Sequence, residues 1–138
     1  MNRNDLKRLV RIRLREAKAL KKARCPWGAY YIAGFAVECG LKACIARQTR
    51  RYEFPDKQRA FDAFEHSPVK LVKVAGLEVA LRNELQTNPA FGAYWSIITA
   101  WSVHKRYETT TTAREAQELL DAITDPKDGI LKWLEKHW

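Results

Sequence analysis

Two histidines stand beside arginines in this 138-residue chain. His104 lies in Trp101-Ser-Val-His-Lys-Arg-Tyr107, next to two cations and a phenol, and His66 follows Arg59 with six residues between them. Imidazole exchanges protons near neutral pH, and a guanidinium grips phosphate through a planar fork of donors. His104 with Arg106 and Tyr107, or His66 with Arg59, is therefore suited to cleaving RNA without a metal. The imidazole would move the proton of the 2′-hydroxyl or of the leaving oxygen while the arginine holds the phosphate. A histidine that only caps a helix or satisfies a neighbour has the same local sequence, and His137, beside the C-terminus, reads as frayed. Glu38 and Lys42, one helical turn apart, read as an intrahelical salt bridge or as one completed by a neighbouring helix, a structural polar pair rather than an acid–base pair.

Other chemistries lack their residues. There is no Gly-rich phosphate loop, G-x-S-x-G elbow or H-E-x-x-H pair, and Cys25, Cys39 and Cys44 contain no C-x-x-C half-site. No metal and no cofactor is expected. An odd set of three cysteines, with no charged start leading into an unbroken apolar run, points to a reducing, cytoplasmic setting without a signal peptide.

The elements that must position these groups read as helices. Leu6, Leu9, Val10, Leu14, Ala17 and Leu20 recur at three and four residues and predict a helix over about 4–22, with Lys7, Arg11, Arg15, Lys18 and Lys22 on another face. Residues 1–24 hold ten Lys/Arg against Asp5 and Glu16, so this segment carries eight of the nine net positive charges. Cations repel at helical spacing, and acids that would offset them are missing, which suits a polyanion better than a merely solvated face. Pro26 and Gly28 mark a turn. A second helix over 28–48 carries small residues at Ala29, Ala33, Ala36, Gly40 and Ala43, which predict close antiparallel packing on the first. Its apolar run carries Glu38 and Lys42 near the middle, so it reads as a core helix and not a membrane span.

The rest of the chain predicts shorter helices. A polar link over 49–55 leads to a helix over 56–65 starting at Pro55-Asp56. Ser67-Pro68 opens one that Gly76 ends, and Leu77 to Gln86 forms another. Asn88-Pro89 caps a helix to about Val103 whose Phe91, Tyr94, Trp95, Ile98 and Trp101 belong to the core. Thr112-x-x-Glu115 is a capping box opening a helix to Ile123, and Ile130 begins the last. The fold expected is one all-α domain over 1–138, an up-down bundle built on the long hairpin of helices one and two.

Ala29-Tyr-Tyr-Ile-Ala-Gly-Phe-Ala-Val-Glu38-Cys-Gly-Leu-Lys42-Ala resembles the second helix of HEPN domains. Glu65-His66-Ser-Pro-Val-Lys-Leu71 through Ala75-Gly-Leu77, and Trp101-x(4)-Arg106-Tyr107, resemble further elements of small bacterial members, in the same order. The resemblance implies a four- to five-helix bundle, frequent homodimers and, in many members, metal-independent RNase activity in toxin–antitoxin or antiviral systems. Those nucleases share Arg-x(4–6)-His late in the chain, followed by a Tyr. Here Trp101 and Arg106 occupy those places, and Arg59 to His66 is the literal match. Other members are non-catalytic and act beside a nucleotidyltransferase partner. The RNA-acting reading places catalysis on His104, Arg106 and Tyr107 first and on His66 and Arg59 second, across a dimer. RNA binding falls to the basic face of helix one. A membrane-surface role for that helix is disfavoured, because helix two claims its apolar stripe.

Overall fold

Asn2 starts the first helix. Its side chain accepts from the amides of Asn4 and Asp5, while the Asp5 carboxylate accepts from the Asn2 amide at 2.9 Å, a reciprocal capping box. In the computed structural model, which describes residues 1–49 and 57–138, α1 then runs over Arg3–Lys22. It buries Leu6, Val10, Leu14 and Ala17. The helix ends where Cys25 N–H donates to the Leu20 carbonyl and Arg24 N–H to that of Lys21. Arg24 takes the left-handed position of this turn at φ 61°, a place glycine fills at less cost.

Helix α2, Pro26–Gln48, begins two residues before the predicted start because proline at the first helical position needs no amide partner. It is the axle of the fold, packed against α1, α7, α4 and α8. The small residues Ala29, Ala33, Ala36, Gly40 and Ala43 are all buried, as close packing requires. Part of that strip serves α8, since a Cβ on Gly40 would lie 2.8 Å from Leu134 Cδ1. α2 has the length and apolarity of a membrane span, yet 67% of its most apolar window is buried inside the bundle.

Around this axle stand α3 (Lys57–Asp62), α4 (Pro68–Val74), α5 (Glu78–Thr87), α6 (Pro89–Thr99), a 3-10 turn (Val103–Tyr107), α7 (Ala113–Thr124) and α8 (Ile130–Glu135). Among the described residues the structure is all helical, with no strand. The predicted link over 49–55 and helix start at Pro55-Asp56 lie almost wholly outside the described residues.

Expectations at the start of α4 and the end of α6 are corrected. Ser67 holds the cap position of α4, but its side chain makes no capping bond. The Glu65 carboxylate, a stronger acceptor, takes the amides of His66 and Ser67 at 2.8 and 3.2 Å instead. Helix α6 stops at Thr99 rather than Val103, because Trp101 leaves the helix to lie across Gly34. A Cβ on Gly34 would come within 2.0 Å of the indole. Burying a tryptophan removes on the order of 200 Å2 from water, worth roughly 5 kcal/mol, which exceeds the few tenths per residue that one more helical turn offers.

Elsewhere the core follows the pattern. Phe91, Trp95, Ile98 and Trp101 are buried, and Tyr94, half-buried, donates to Asp125 at 3.1 Å. Thr112 and Glu115 form the predicted capping box of α7. His137 is not frayed: its ring centroid lies 4.9 Å from that of Trp133, and burial lowers its pKa.

Candidate functional site

One side of α2 presents Tyr31, Phe35, Glu38 and Lys42 at steps of four, three and four residues, the spacing that aligns side chains along a helix. Glu38 is buried, 6% exposed, and serves two partners. Lys42 Nζ donates to Oε1 at 2.7 Å, and His66 Nδ1 lies 3.0 Å from Oε2. A lone carboxylate at this depth would lose several kcal/mol of hydration, so the two partners are what make its burial tolerable. An ionised carboxylate only accepts, which assigns the proton of a neutral His66 to Nδ1 and leaves Nε2 as an acceptor. The His66 side chain remains 49% exposed. It is an imidazole anchored on one nitrogen and open to solvent through the rest of its ring.

The chain around His66 is held from several directions. Glu65 pairs with Lys70 at 2.8 Å, and that hydrogen bond, followed by the His66 and Ser67 amides, pulls the Glu65 pKa down to about 2. Pro68 is buried at the start of α4. The Phe35 ring meets His66 edge-on at 6.4 Å between centroids. On its outer side His66 lines a hollow of about 490 Å3 with Phe61, Phe64, Lys70 and Lys73. A second hollow of about 510 Å3 has Glu38 and Lys42 in its lining, together with Leu6, Leu9 and Ile45.

The other sequence-derived set sits on the 3-10 turn. His104, Arg106 and Tyr107 are all exposed. The Arg106 guanidinium carbon lies 4.9 Å from the Tyr107 ring centroid, and the phenols of Tyr107 and then Tyr31 raise its pKa. Lys105 pairs with Glu108 at 2.7 Å and lies over the Tyr30 ring. Tyr31 touches Phe35 at 5.0 Å, and Phe35 touches His66. The two sets thus share one side of α2, separated along it by about 10 Å, the rise from Tyr31 to Glu38. Among the described residues no hydrogen bond or ring contact joins His66 to His104. Arg59 donates to Gln48 Oε1 at 2.6 Å, and Gln48 donates to the Ala75 carbonyl, which ties α3 to the ends of α2 and α4.

On α1 the cations Arg11, Arg15, Lys18 and Lys22 are exposed, and Lys7 is half-buried with its ammonium 5.5 Å from the Trp138 ring. Among the described residues none of these five has a carboxylate partner, while Arg13, on another face, pairs with Glu16. Lys7 sets this ladder on the side of α1 that meets the C-terminus, whereas Leu6 and Leu9 line the hollow at Glu38. The ladder and His66 therefore belong to different flanks of the hairpin.

No group of three or more Cys, His, Asp or Glu side chains among the described residues is arranged to hold a metal ion. Sequence reasoning missed the link between Glu38 and His66 and the role of Tyr31 and Phe35. The periodicity of 31, 35, 38 and 42 was a readable signal for one stripe, but nothing local pointed to a histidine twenty-eight residues away in sequence. Compared with known proteins, the chain matches no family model, no curated relative and no solved structure.

Proposed function

We propose that this protein is an RNA-acting helical bundle of the HEPN type that cleaves RNA without a metal, with His66 as its acid–base group. The observation that carries this reading is the buried Glu38 carboxylate standing behind a half-exposed imidazole. Such a carboxylate fixes the tautomer and stabilises the imidazolium that forms when the ring takes a proton. His66 Nε2 removes the proton of a 2′-hydroxyl, the 2′-oxygen attacks the adjacent phosphorus, and the bond to the 5′-oxygen breaks. The proton returns through solvent to that oxygen, leaving a 2′,3′-cyclic phosphate and a 5′-hydroxyl. The ladder of Lys7, Arg11, Arg15, Lys18 and Lys22 supports a second, sequence-independent contact with the RNA backbone. A homodimer and a place in a toxin–antitoxin or antiviral system are the setting that the HEPN resemblance supplies for this activity, and a cytoplasmic location is the one that cysteine usage suggests. The three free cysteines are compatible with a reducing compartment.

The test is incubation of the purified protein with end-labelled RNA in EDTA, together with binding measured across a salt series. Cleavage to cyclic-phosphate ends is expected, and reversing Arg11, Arg15 and Lys18 to Glu should flatten the salt dependence of binding. Intact RNA together with no salt-sensitive binding would sink the reading.

A second reading, a non-catalytic module that dimerises or docks on a nucleotidyltransferase-type protein, is favoured by Phe61 and Phe64, which are 74% and 78% exposed beside the site. It predicts a stable complex with such a partner that is lost when both rings are replaced by Ser, and no RNA cleavage.

A further inference from the structure

We infer that the tip of the α1–α2 hairpin docks on anionic lipid bilayers, with the Trp27 indole set among the headgroups and Lys18, Lys21, Lys22 and Arg24 around it drawn to lipid phosphates and carboxylates. Trp27 lies about 16 Å along α2 from Glu38, by helical rise. The surface does not depend on the RNA reading, although Lys18 and Lys22 also belong to the ladder of α1. Trp95, Trp101 and Trp133 are buried, whereas Trp27 is 49% exposed. Local structure keeps it out. Pro26 starts α2, and Ala29 and Tyr30 take the buried positions of its first turn. Gly28 meets α1 so closely that an added Cβ would lie 3.4 Å from Leu20 Cδ1. Trp27, between Pro26 and Gly28, is left on the outside. Local bonds close the turn, from Ala23 N–H to the Ala19 carbonyl, Arg24 N–H to that of Lys21 and Cys25 N–H to that of Leu20, so the tip is a fixed platform.

Charge around the indole is of one sign. Between Glu16 and Glu38 the chain has no Asp or Glu, and it carries Lys18, Lys21, Lys22 and Arg24. Among the described residues none of these four has a carboxylate partner, and Glu16 is taken by Arg13. Glu108 and Glu115, which lie near Tyr30, are engaged with Lys105 and with the Thr112 cap. Lys18, Lys22 and Arg24 are exposed and Lys21 is half-buried, with the exposed Ala19 and Ala23 and the half-buried Leu20 among them. A nucleic-acid backbone would use the cations but gains nothing from that apolar surface. A headgroup layer accepts both, and an indole, apolar in body with one N–H, suits that layer. α1 cannot lie flat in a bilayer, since Leu6, Val10, Leu14 and Ala17 are buried in the bundle. Contact is therefore confined to the tip, shallow and reversible, and it depends on anionic lipid, each cation being worth about fivefold in affinity.

The experiment is sedimentation of the full chain with vesicles of phosphatidylcholine alone and of phosphatidylcholine with about 30% phosphatidylserine, over a salt series. The parent chain is compared with Trp27→Ser and with Lys22→Ala/Arg24→Gly, all checked for unaltered thermal unfolding. Glycine suits the left-handed place that Arg24 holds. Binding is expected on the anionic vesicles alone, weakening as salt rises. Trp27→Ser should lose about tenfold of it, from the apolar area no longer buried. The double variant should lose about 25-fold, two cations at about fivefold each. Lipid brominated just below the headgroups should quench part of the parent chain's tryptophan emission, a readout that needs no variant. No binding to anionic vesicles, equal binding to neutral ones, no quenching of the bound protein, or unaltered binding by Trp27→Ser would each overturn the inference, and none of these touches the RNA reading. A Trp27→Ser variant that loses RNA affinity but keeps its vesicle binding would assign the indole to nucleic acid and overturn it as well.

Discussion

His66 stands on the link between α3 and α4 and His104 on the 3-10 turn, and both segments lie against α2. They differ in what lies behind the ring. His66 is braced by a carboxylate that α2 buries, with Lys42 on the other oxygen and Phe35 against its edge. His104 is exposed on a 3-10 turn whose polar contacts belong to its neighbours: Lys105 to Glu108, and Arg106 to Tyr107. Two imidazoles with similar sequence surroundings are therefore unequal as proton-transfer groups. Spacing to an arginine does not distinguish them, whereas a buried partner does, because a fixed tautomer and a stabilised imidazolium are what a general base needs.

The sharpest way to break this comparison is to remove each ring in turn. His66→Ala should lower RNA cleavage by about 10²- to 10⁴-fold, the range of a positioned acid–base group. His104→Ala should change it less than about threefold. The reverse order of effects, measured as single-turnover rates, would return the site to the 3-10 turn.

Removing what stands behind His66 should cost less in rate but more in stability. Glu38→Ala leaves Lys42 without its carboxylate. Because Lys42 and His66 both reach solvent, the penalty is about 1–3 kcal/mol, below that of a fully buried pair. Thermal melts should show a drop of several degrees, and cleavage should fall about tenfold. Glu38→Gln keeps one acceptor oxygen and sets an NH2 group against the other neighbour, so it should recover part of the stability while leaving the rate depressed, since a neutral amide stabilises an imidazolium poorly. Wild-type cleavage by Glu38→Gln would reduce the pair to a structural brace.

The smallest effect concerns the turn that carries His66. Glu65 has its pKa lowered from 4.5 to about 2, so its contribution to holding the turn is complete above about pH 4.5 and is lost as pH falls through about 2. Protection of the His66 and Ser67 amides, taken relative to the intrinsic exchange rate at each pH, should fall across that window. Glu65→Gln should abolish the dependence. No such acid-labile clamp holds the amide of His104 among the described residues, so its exchange should track only the general stability of the bundle.

Much of the architecture was legible because it rests on local rules. The stripe of Leu6, Val10, Leu14 and Ala17, the small residues of α2, the caps at Asn88 and Thr112 and the left-handed Gly76 each declare an element within a few residues of themselves. Where reading failed, a distant group had intervened: Gly34 drew Trp101 out of α6, Glu65 displaced the Ser67 hydroxyl from its cap, and Trp133 captured His137. The site divides in the same way. His66, Glu38 and Lys42 were each legible as chemistry-bearing residues, and the Glu38–Lys42 pair follows from helical periodicity alone.

Composition and periodicity sufficed for an all-helical chain with a basic first helix, because charge content and a 3.6-residue repeat are properties of short windows. Which histidine is braced, and that the cation ladder of α1 lies on the other flank of the hairpin, depended on how α2 meets the turn before α4 and how α1 meets the C-terminus. Those are contacts between residues far apart in the chain. They follow from burial of the whole core at once, which no local window contains.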